Sequence, residues 1–581
     1  MSLKRDLPQN GRRHRSPLVC NTCRERRTKC DGRRPKCSFC MHRSKECFYE
    51  RNPDPPSPLA VELSRIWKLL DHITGVIDTT ASERACSAKE QSPCDLLVDQ
   101  DPLAGFPIMI IKNQSFLALL KLDQSLPVQL EQMESRSQLS CSRPSSVQVV
   151  MIDFAQALEF LNAFAEHIHV WYPILHVGYM DEFLQAVSTP FQPSIDSCLA
   201  LLVLAIGSLA RDESIAYAPQ KRPETIYIQA AEDMLPCVLT DGSTRSIQCL
   251  LLFSVYYLCR AQPCRAHDFV AIASYKIQDN LINRLDGEND LPGSTIIGNC
   301  YWTAVLIESE ITVQLDLVDS GIWSVDSVTT VPVSYDTWIW RPSLSPVRAD
   351  GDETERIIHE QALRRHDLSY FVAEIAMRKM LQRCTSSVRR LSQVNFLYAP
   401  VIAAELEKQL QEWYNLLPDE LSLRGDNGDG VPFRGLAQAE FLHTQCFAFR
   451  ASIYWPAAYQ ASVTGEADDD LLLHCRSFFD SYVDFIASAA ISVSVCKPNL
   501  WTLYASVFTI SMGALTASAT PCLLSIVSPR VRQSLEKAVH LFGSVTEVSS
   551  SLAELGAILK ERTFHQASPS NLGCMRSLVH C

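Results

Sequence analysis

From about residue 150 onward, apolar positions recur at helical spacing. Phe154, Leu158, Leu161 and Phe164 step by four, three and three, which places them on one helix face. The same signature marks 199–209, 247–258, 269–282, 301–315, 370–391, 401–416, 439–454, 471–495 and 501–517, with a final helix expected over 531–559. Period-two alternation is scarce, and 323–335 is the segment best suited to irregular or extended backbone. The predicted fold class is mostly α, with a large all-α domain over 150–560 and a tail over 561–581.

The pattern differs upstream. Pro53, Pro55, Pro56 and Pro58 exclude a helix, so 49–59 is expected to be a semi-extended linker. Leu63, Ile66, Leu70, Ile73 and Ile77 then step by 3, 4, 3 and 4, a heptad seam. This predicts a short coiled-coil helix over 60–78 and a homodimer. About two heptads is short for a coiled coil standing alone, and the alternative is one amphipathic helix packed on the body. Between 79 and 149, Ser, Gln, Cys and charged residues dominate 81–98 and 132–147, as in a largely disordered connector. The apolar run 106–122 interrupts it as a docked strand or helix that the sequence does not place.

The chemistry concentrates between Cys20 and Cys47. The spacing C-x2-C-x6-C-x6-C-x2-C-x6-C is carried by Cys20, Cys23, Cys30, Cys37, Cys40 and Cys47, two copies of C-x2-C-x6-C. A structural zinc takes four thiolates in a tetrahedron. One zinc would strand two cysteines, whereas two zincs share six sulfurs if two of them bridge. The symmetric choice of bridges is Cys20 and Cys37. Every coordination position is then filled by sulfur, so the site is structural and has no open position for a substrate. A disulfide framework is the alternative. It fits less well, because basic residues without an apolar stretch precede Cys20.

Charge gives the cluster a partner. The whole chain of 581 residues carries −12. Residues 1–50, however, hold 14 basic and 5 acidic side chains, a net of +9, and the remainder carries −21. A basic head on an acidic body predicts that the head alone meets nucleic acid. Arg24, Arg26, Arg27 and Lys29 lie between Cys23 and Cys30, where a short helix starting near Asn21 would fan them outward. Arg33 and Lys36 stand on the connecting loop, and Arg43 and Lys45 make a less basic second arm. Guanidinium groups pair with phosphate and can reach guanine O6 and N7. Residues 1–16 read as a basic disordered arm, and the clusters at 12–15 and 33–36 suit nuclear import.

This stretch resembles the fungal binuclear zinc cluster DNA-binding domain. The resemblance rests on all six cysteines, Arg24-x-Arg26, Lys29-Cys30-Asp31 and Pro35, and defines the domain as 17–48. It implies two Zn²⁺ per chain, one on Cys20, Cys23, Cys30 and Cys37, the other on Cys37, Cys40, Cys47 and Cys20. It also implies major-groove reading of a CGG-like triplet in double-stranded DNA. The position that reads bases in the family, usually a lysine, is Arg27 here, and arginine can take guanine bidentately. Arg24, Arg26, Lys29, Arg33 and Lys36 are the expected phosphate contacts.

Further signatures resemble the fungal-specific transcription factor domain, the middle homology region. They are Trp171-Tyr172-Pro173-Ile174-Leu175-His176 with Phe183, Tyr301-Trp302 leading through Glu308-Ser309-Glu310 to Ser320-Gly321-Ile322, the set Leu406, Leu410, Trp413 and Leu417-Pro418, and Ile453-Tyr454-Trp455-Pro456. Where the family often has proline before Ser-Gly-Ile, Val318 and Asp319 stand, so a different turn is expected. The resemblance implies a nuclear regulator of RNA polymerase II transcription, of the activator type common in the family, acting with transcription machinery or co-regulators. A metabolic or secondary-metabolite gene cluster is a target type that the family allows.

The rest of the chain supplies no competing chemistry. No H-E-x-x-H, G-x-S-x-G, P-loop or dinucleotide motif is present, so no enzyme is expected. His167, His169 and His176 lack metal-ligand spacing and read as packing or surface residues. The acidic stretches 350–355 and 468–470 read as solvated loops rather than activation surfaces, and 424–430 as a turn-rich connector. The uncharged window 498–529 is long enough to span a bilayer, but its Ser, Thr and Pro521 favour a buried core helix, so no membrane is expected. The sixteen cysteines beyond Cys47 read as reduced, mostly buried small hydrophobes. The alternative function is a zinc module for protein contact attached to a ligand-binding or enzymatic helical body.

Overall fold

The computed structural model describes residues 22–23, 26, 28, 30, 36–43 and 45 near the N-terminus, and 106–136, 152–211, 224–284, 294–329, 332, 369–384, 388–390, 396–418, 421–422 and 437–567 beyond it. The chain forms two compact units, Met1–Arg65 and Ile66–Cys581. Among the described residues of the second, helices dominate. The strands are a single short antiparallel hairpin, Val388–Arg390 with Phe396–Tyr398, in register Arg389 to Leu397. The predicted linker 49–59 and heptad seam Leu63, Ile66, Leu70, Ile73 and Ile77 lie outside the described residues.

The helices pair as antiparallel neighbours joined by short turns. Thr244–Cys259 folds back on Pro263–Arg284, and Ala437–Thr464 on Asp469–Val495. The second turn uses Gly465 at φ 74°, a left-handed conformation that glycine adopts without a Cβ penalty. Asp468 then caps the next helix, accepting the Leu471 N–H at 2.8 Å, with Asp469 and Asp470 in its first turn complementing the helix dipole. The acidic run at 468–470 is therefore a helix start.

Leu500–Ser518 lies at the centre and touches Thr244–Cys259, Ser294–Gln314, Ala437–Thr464, Asp469–Val495, Pro529–Phe542 and Ser550–Ala567. Its most apolar window is 89% buried inside the fold, which accounts for a hydropathy that would otherwise suit a membrane. Phe154–Phe164 crosses Ile195–Arg211 at Gly207, where an added Cβ would sit 2.0 Å from the Phe160 carbonyl oxygen. A backbone atom cannot step aside alone, so Gly207→Ala must separate the two helices. We expect it to cost about 3 kcal/mol, the upper end of overpacking effects. Urea unfolding beside wild type checks this, and an unchanged midpoint would mean that the crossing is loose.

Three expectations are corrected in detail. Within 79–149, the run 106–122, expected as a docked strand or helix, carries the helix Gln114–Leu119, and a second helix, Leu126–Arg136, extends into the stretch 132–147 expected to be disordered. Ile108, Met109, Ile111, Phe116 and Leu117 are buried, with Phe116 packed edge-on against Trp455 at 5.7 Å. Next, the segment 323–335, expected to be irregular or extended, begins as a 3₁₀ helix, Ile322–Val328. Finally, the helix predicted over 531–559 is two helices, Pro529–Phe542 and Ser550–Ala567, and the second runs past 560 into the expected tail.

The body signatures prove to be packing hubs. Trp171 is buried edge-on against Tyr370 and Phe441, at 5.0 and 5.5 Å. The Tyr172 hydroxyl donates to Asn499 Oδ1 at 3.1 Å, the Pro173 carbonyl accepts from Asn299 at 2.9 Å, and the Ile174 carbonyl accepts from Gln248 at 2.6 Å. His169 Nε2 accepts the Leu175 N–H at 3.2 Å, and burial pushes its imidazole down to about 3, so the ring is neutral. His176 instead meets Glu182 and the Gly178 N–H, so these two histidines have separate packing roles.

Candidate metal centre and nucleic-acid interface

The C-x2-C spacing acquires a geometric reason at the second half-site. Cys37 is the N-cap of the helix Ser38–His42, with extended backbone at φ −66° and ψ 153°. Cys40 is then the third helical residue, and its N–H donates to Cys37 Sγ at 3.4 Å. Two intervening residues thus turn both sulfurs to one side. A thiolate at a helix N-terminus is also favoured by the dipole and by the exposed N–H groups. The first half-site shows helical backbone at Thr22 and Cys23.

The sequence repeat appears in the backbone. Thr28 N–H donates to the Cys23 carbonyl at 3.0 Å, and Lys45 N–H donates to the Cys40 carbonyl at 3.0 Å. Cys23 corresponds to Cys40 and Thr28 to Lys45 when the two copies of C-x2-C-x6-C are overlaid. Each half therefore ends its helical turn with the same wide bond, of the kind that closes helix C-termini.

Cys23, Cys37 and Cys40 are fully buried, and their sulfurs lie within 4.8 Å of one another. Cys30 packs against them. Cys23 Sγ is 3.7 Å from Cys37 Sγ and 4.0 Å from Cys40 Sγ. A disulfide would need about 2.05 Å. The edge of a sulfur tetrahedron around zinc, with Zn–S of about 2.3 Å, is about 3.8 Å. Three convergent soft thiols at that spacing fit zinc and select against hard cations. Cys23, Cys37 and Cys40 form the candidate site, with Cys23 Sγ within 4.0 Å of both of the others. Cys20 and Cys47 lie outside the described residues.

Around the sulfurs the described cations face solvent. Arg26 and Lys36 are exposed, as are Arg43 and Lys45. Arg43 lies over the Phe39 ring at 5.0 Å, a cation–π contact that steadies the second arm. Sequence reading missed this contact, although the i, i+4 spacing of Phe39 and Arg43 was available to suggest it. Arg24, Arg27, Lys29 and Arg33 lie outside the described residues.

Comparison with known proteins agrees with this geometry. The Fungal Zn(2)-Cys(6) binuclear cluster domain matches residues 18–56, and the Fungal specific transcription factor domain matches residues 161–274. The chain is 34% identical over 573 residues to ecdB of Aspergillus rugulosus, a proposed transcription factor, covering 93% of this chain and 96% of that protein. It is 20% identical over 419 residues to the transcription regulator galc of Aspergillus niger, covering 58% of this chain and 50% of that protein. A shorter match, 35% over 68 residues, is to the quinic acid utilization activator of Emericella nidulans, covering 11% of this chain and 8% of that protein. No solved structure matches. The chain belongs to the fungal binuclear zinc cluster transcription factors, and is a transcriptional regulator with a zinc-binding, DNA-binding head.

Proposed function

We propose that this protein is a nuclear, sequence-specific activator of RNA polymerase II transcription that reads CGG-like half-sites in the major groove. Two Zn²⁺ ions are held by six thiolates, with Cys20 and Cys37 bridging and Cys23, Cys30, Cys40 and Cys47 terminal. Arg27 contacts guanine, while Arg24, Arg26, Lys29, Arg33 and Lys36 hold phosphate. The observation that carries this reading is the repeated half-site: the same backbone bond at Cys23 and Cys40 frames sulfurs at a tetrahedral spacing, with exposed cations alongside. A closed thiolate site has no catalytic vacancy, so the metal serves to fix the cations in register. The seam Leu63, Ile66, Leu70, Ile73 and Ile77 supports a homodimer that presents two heads to two half-sites, with the linker 49–59 setting their spacing. The helical body would engage the transcription machinery or co-regulators. The name of the Emericella relative supports an activator role, and metabolic or secondary-metabolite genes are the target type favoured.

The test is binding of the full-length protein to a CGG-containing duplex and to a scrambled duplex between about 50 and 200 mM salt. Selective binding is expected, with log affinity falling against log salt by about 0.9 per phosphate neutralised. Six contacts would lower affinity by at least about a thousandfold across that range. A flat salt dependence, or equal affinity for both duplexes, overturns the reading.

A further inference from the structure

The helical body contains a cavity of about 310 Å³ that the DNA-reading chemistry does not use. It lies where the segment 106–112 meets Ser294–Gln314, the helix 369–383, Ala437–Thr464 and Leu500–Ser518. Phe106, Trp323 and Phe449 supply an apolar wall, with the Phe106 and Phe449 rings edge to face at 5.2 Å. Glu310, Arg378 and Gln445 supply a polar end. Gln382 lines the cavity and is exposed, so the space reaches the surface.

The hydrogen bonds at the polar end are unevenly shared. Arg378 is buried, and its Nε donates to Glu374 Oε1 at 3.0 Å while its terminal nitrogen pairs with Glu310. Gln445 Nε2 donates to that same Glu374 oxygen, also at 3.0 Å. Two donors thus converge on one oxygen. Glu374 Oε2 and Gln445 Oε1 are left buried without a hydrogen-bond partner. Lys112, the other cation in the wall, donates to the Thr312 carbonyl at 2.6 Å. Lys112 and two nitrogens of Arg378 bond acceptors of the protein, and while Glu374, which burial pushes up to about 7, is ionised, two buried acceptor oxygens lack a donor. Native buried polar atoms are rarely left in that state, because water or a ligand normally supplies the missing donor.

We propose that this cavity binds a small uncharged amphipathic molecule: an aromatic ring system bearing a hydroxyl or N–H donor. The ring lies against Phe106 and Phe449, and the donor bonds Gln445 Oε1. A carboxylate ligand is disfavoured, because two protein carboxylates already share the one guanidinium. The volume is at the small end of natural ligand sites, which suits a compact ligand. An occupant would touch 106–112 together with four helices, and so fasten that segment to the body.

The probes are 2-naphthol and 2-naphthoate, which share a ring system and differ in the polar group. Binding to full-length protein near neutral pH is followed by calorimetry. Saturable 2-naphthol binding is expected, at least about ten-fold tighter than 2-naphthoate. Gln445→Leu, which removes the orphan acceptor, should weaken 2-naphthol about ten-fold and leave naphthoate unchanged. Ser506→Phe, which fills the cavity from Leu500–Ser518, should abolish binding of both and serves if Gln445→Leu does not fold. Equal or tighter naphthoate binding, indifference to both substitutions, or no saturable binding overturns the proposal. Zinc-free Cys37→Ser protein should bind 2-naphthol as wild type does, which separates this test from the DNA-reading one.

Discussion

Cys37→Ser is expected to release the bound zinc and abolish binding to a CGG-containing duplex, while leaving the helical body folded. The substitution is chosen for what it keeps. Serine is itself a favoured N-cap, so the start of Ser38–His42 can still be closed by a side-chain oxygen accepting the Cys40 N–H. What is lost is a thiolate 3.7 Å from Cys23 Sγ. If Cys37 bridges, its loss removes a ligand from both metals at once. Structural zinc contributes about 10–16 kcal/mol of binding in zinc-finger peptides, and that binding energy is folding energy. Among the described residues of the head, the buried hydrophobic cluster is Cys23, Cys37 and Cys40, with Cys30 and Phe39 packed against it, so little else is there to replace the metal. Cys198→Ser, at a buried thiol far outside the motif, is the control and should retain full zinc. The checks are metal content by elemental analysis, duplex affinity by anisotropy and far-ultraviolet circular dichroism for the body. Wild-type protein purified with zinc at two per chain, against none in Cys37→Ser, is the expected result. Undiminished zinc in the variant would mean that Cys37 is not a ligand.

The parts legible in the sequence are those whose determinants are local. A metal tetrahedron built on C-x2-C pairs needs its ligands a fixed few residues apart, so spacing alone pointed to Cys23, Cys37 and Cys40, whose sulfurs converge. What spacing did not carry was the role of Cys37 as N-cap, which depends on where the helix begins. Most body helices were legible for a related reason, since each buries one face at a 3.6-residue period. Segment 106–122 was not, because what holds it is far away in the chain. Ile111 N–H donates to Gln314 Oε1 and Lys112 to the Thr312 carbonyl, both about two hundred residues on. The break at Gly543 was hidden for the opposite reason. The periodic apolar positions resume at Leu552, Leu555 and Leu559, so a turn reads like a continuing helix.

The body signatures were recognisable without their reason being visible, and Glu308 shows the reason. This carboxylate is buried on Ser294–Gln314. Its Oε1 accepts the Ser320 backbone N–H at 2.6 Å, and its Oε2 accepts the Ser320 hydroxyl at 2.7 Å and the Ser274 hydroxyl at 2.8 Å. One side chain therefore ties Pro263–Arg284, Ser294–Gln314 and the Ser320-Gly321-Ile322 turn together. Gly321, at φ 73°, lets the chain reverse there. Asp319, standing where proline is common in the family, closes the turn by accepting the Gly321 N–H at 2.7 Å. Glu308→Ala would leave a buried backbone donor and two buried hydroxyls without their acceptor. We expect a loss of about 3–5 kcal/mol, since each stranded group costs about 1–3 kcal/mol and the hydroxyls can partly turn elsewhere. Glu308→Gln keeps one carbonyl oxygen for the Ser320 N–H, and hydroxyls can rotate to accept from its amide. Its expected loss is about 1–2 kcal/mol. Urea unfolding of the three proteins checks the order, and proteolysis near 320 should rise in Ala more than in Gln. Equal losses would mean that Glu308 fills space rather than clamps the turn. A graded loss would show that the acid supplies the acceptors that a buried, reversed chain cannot find in its own backbone.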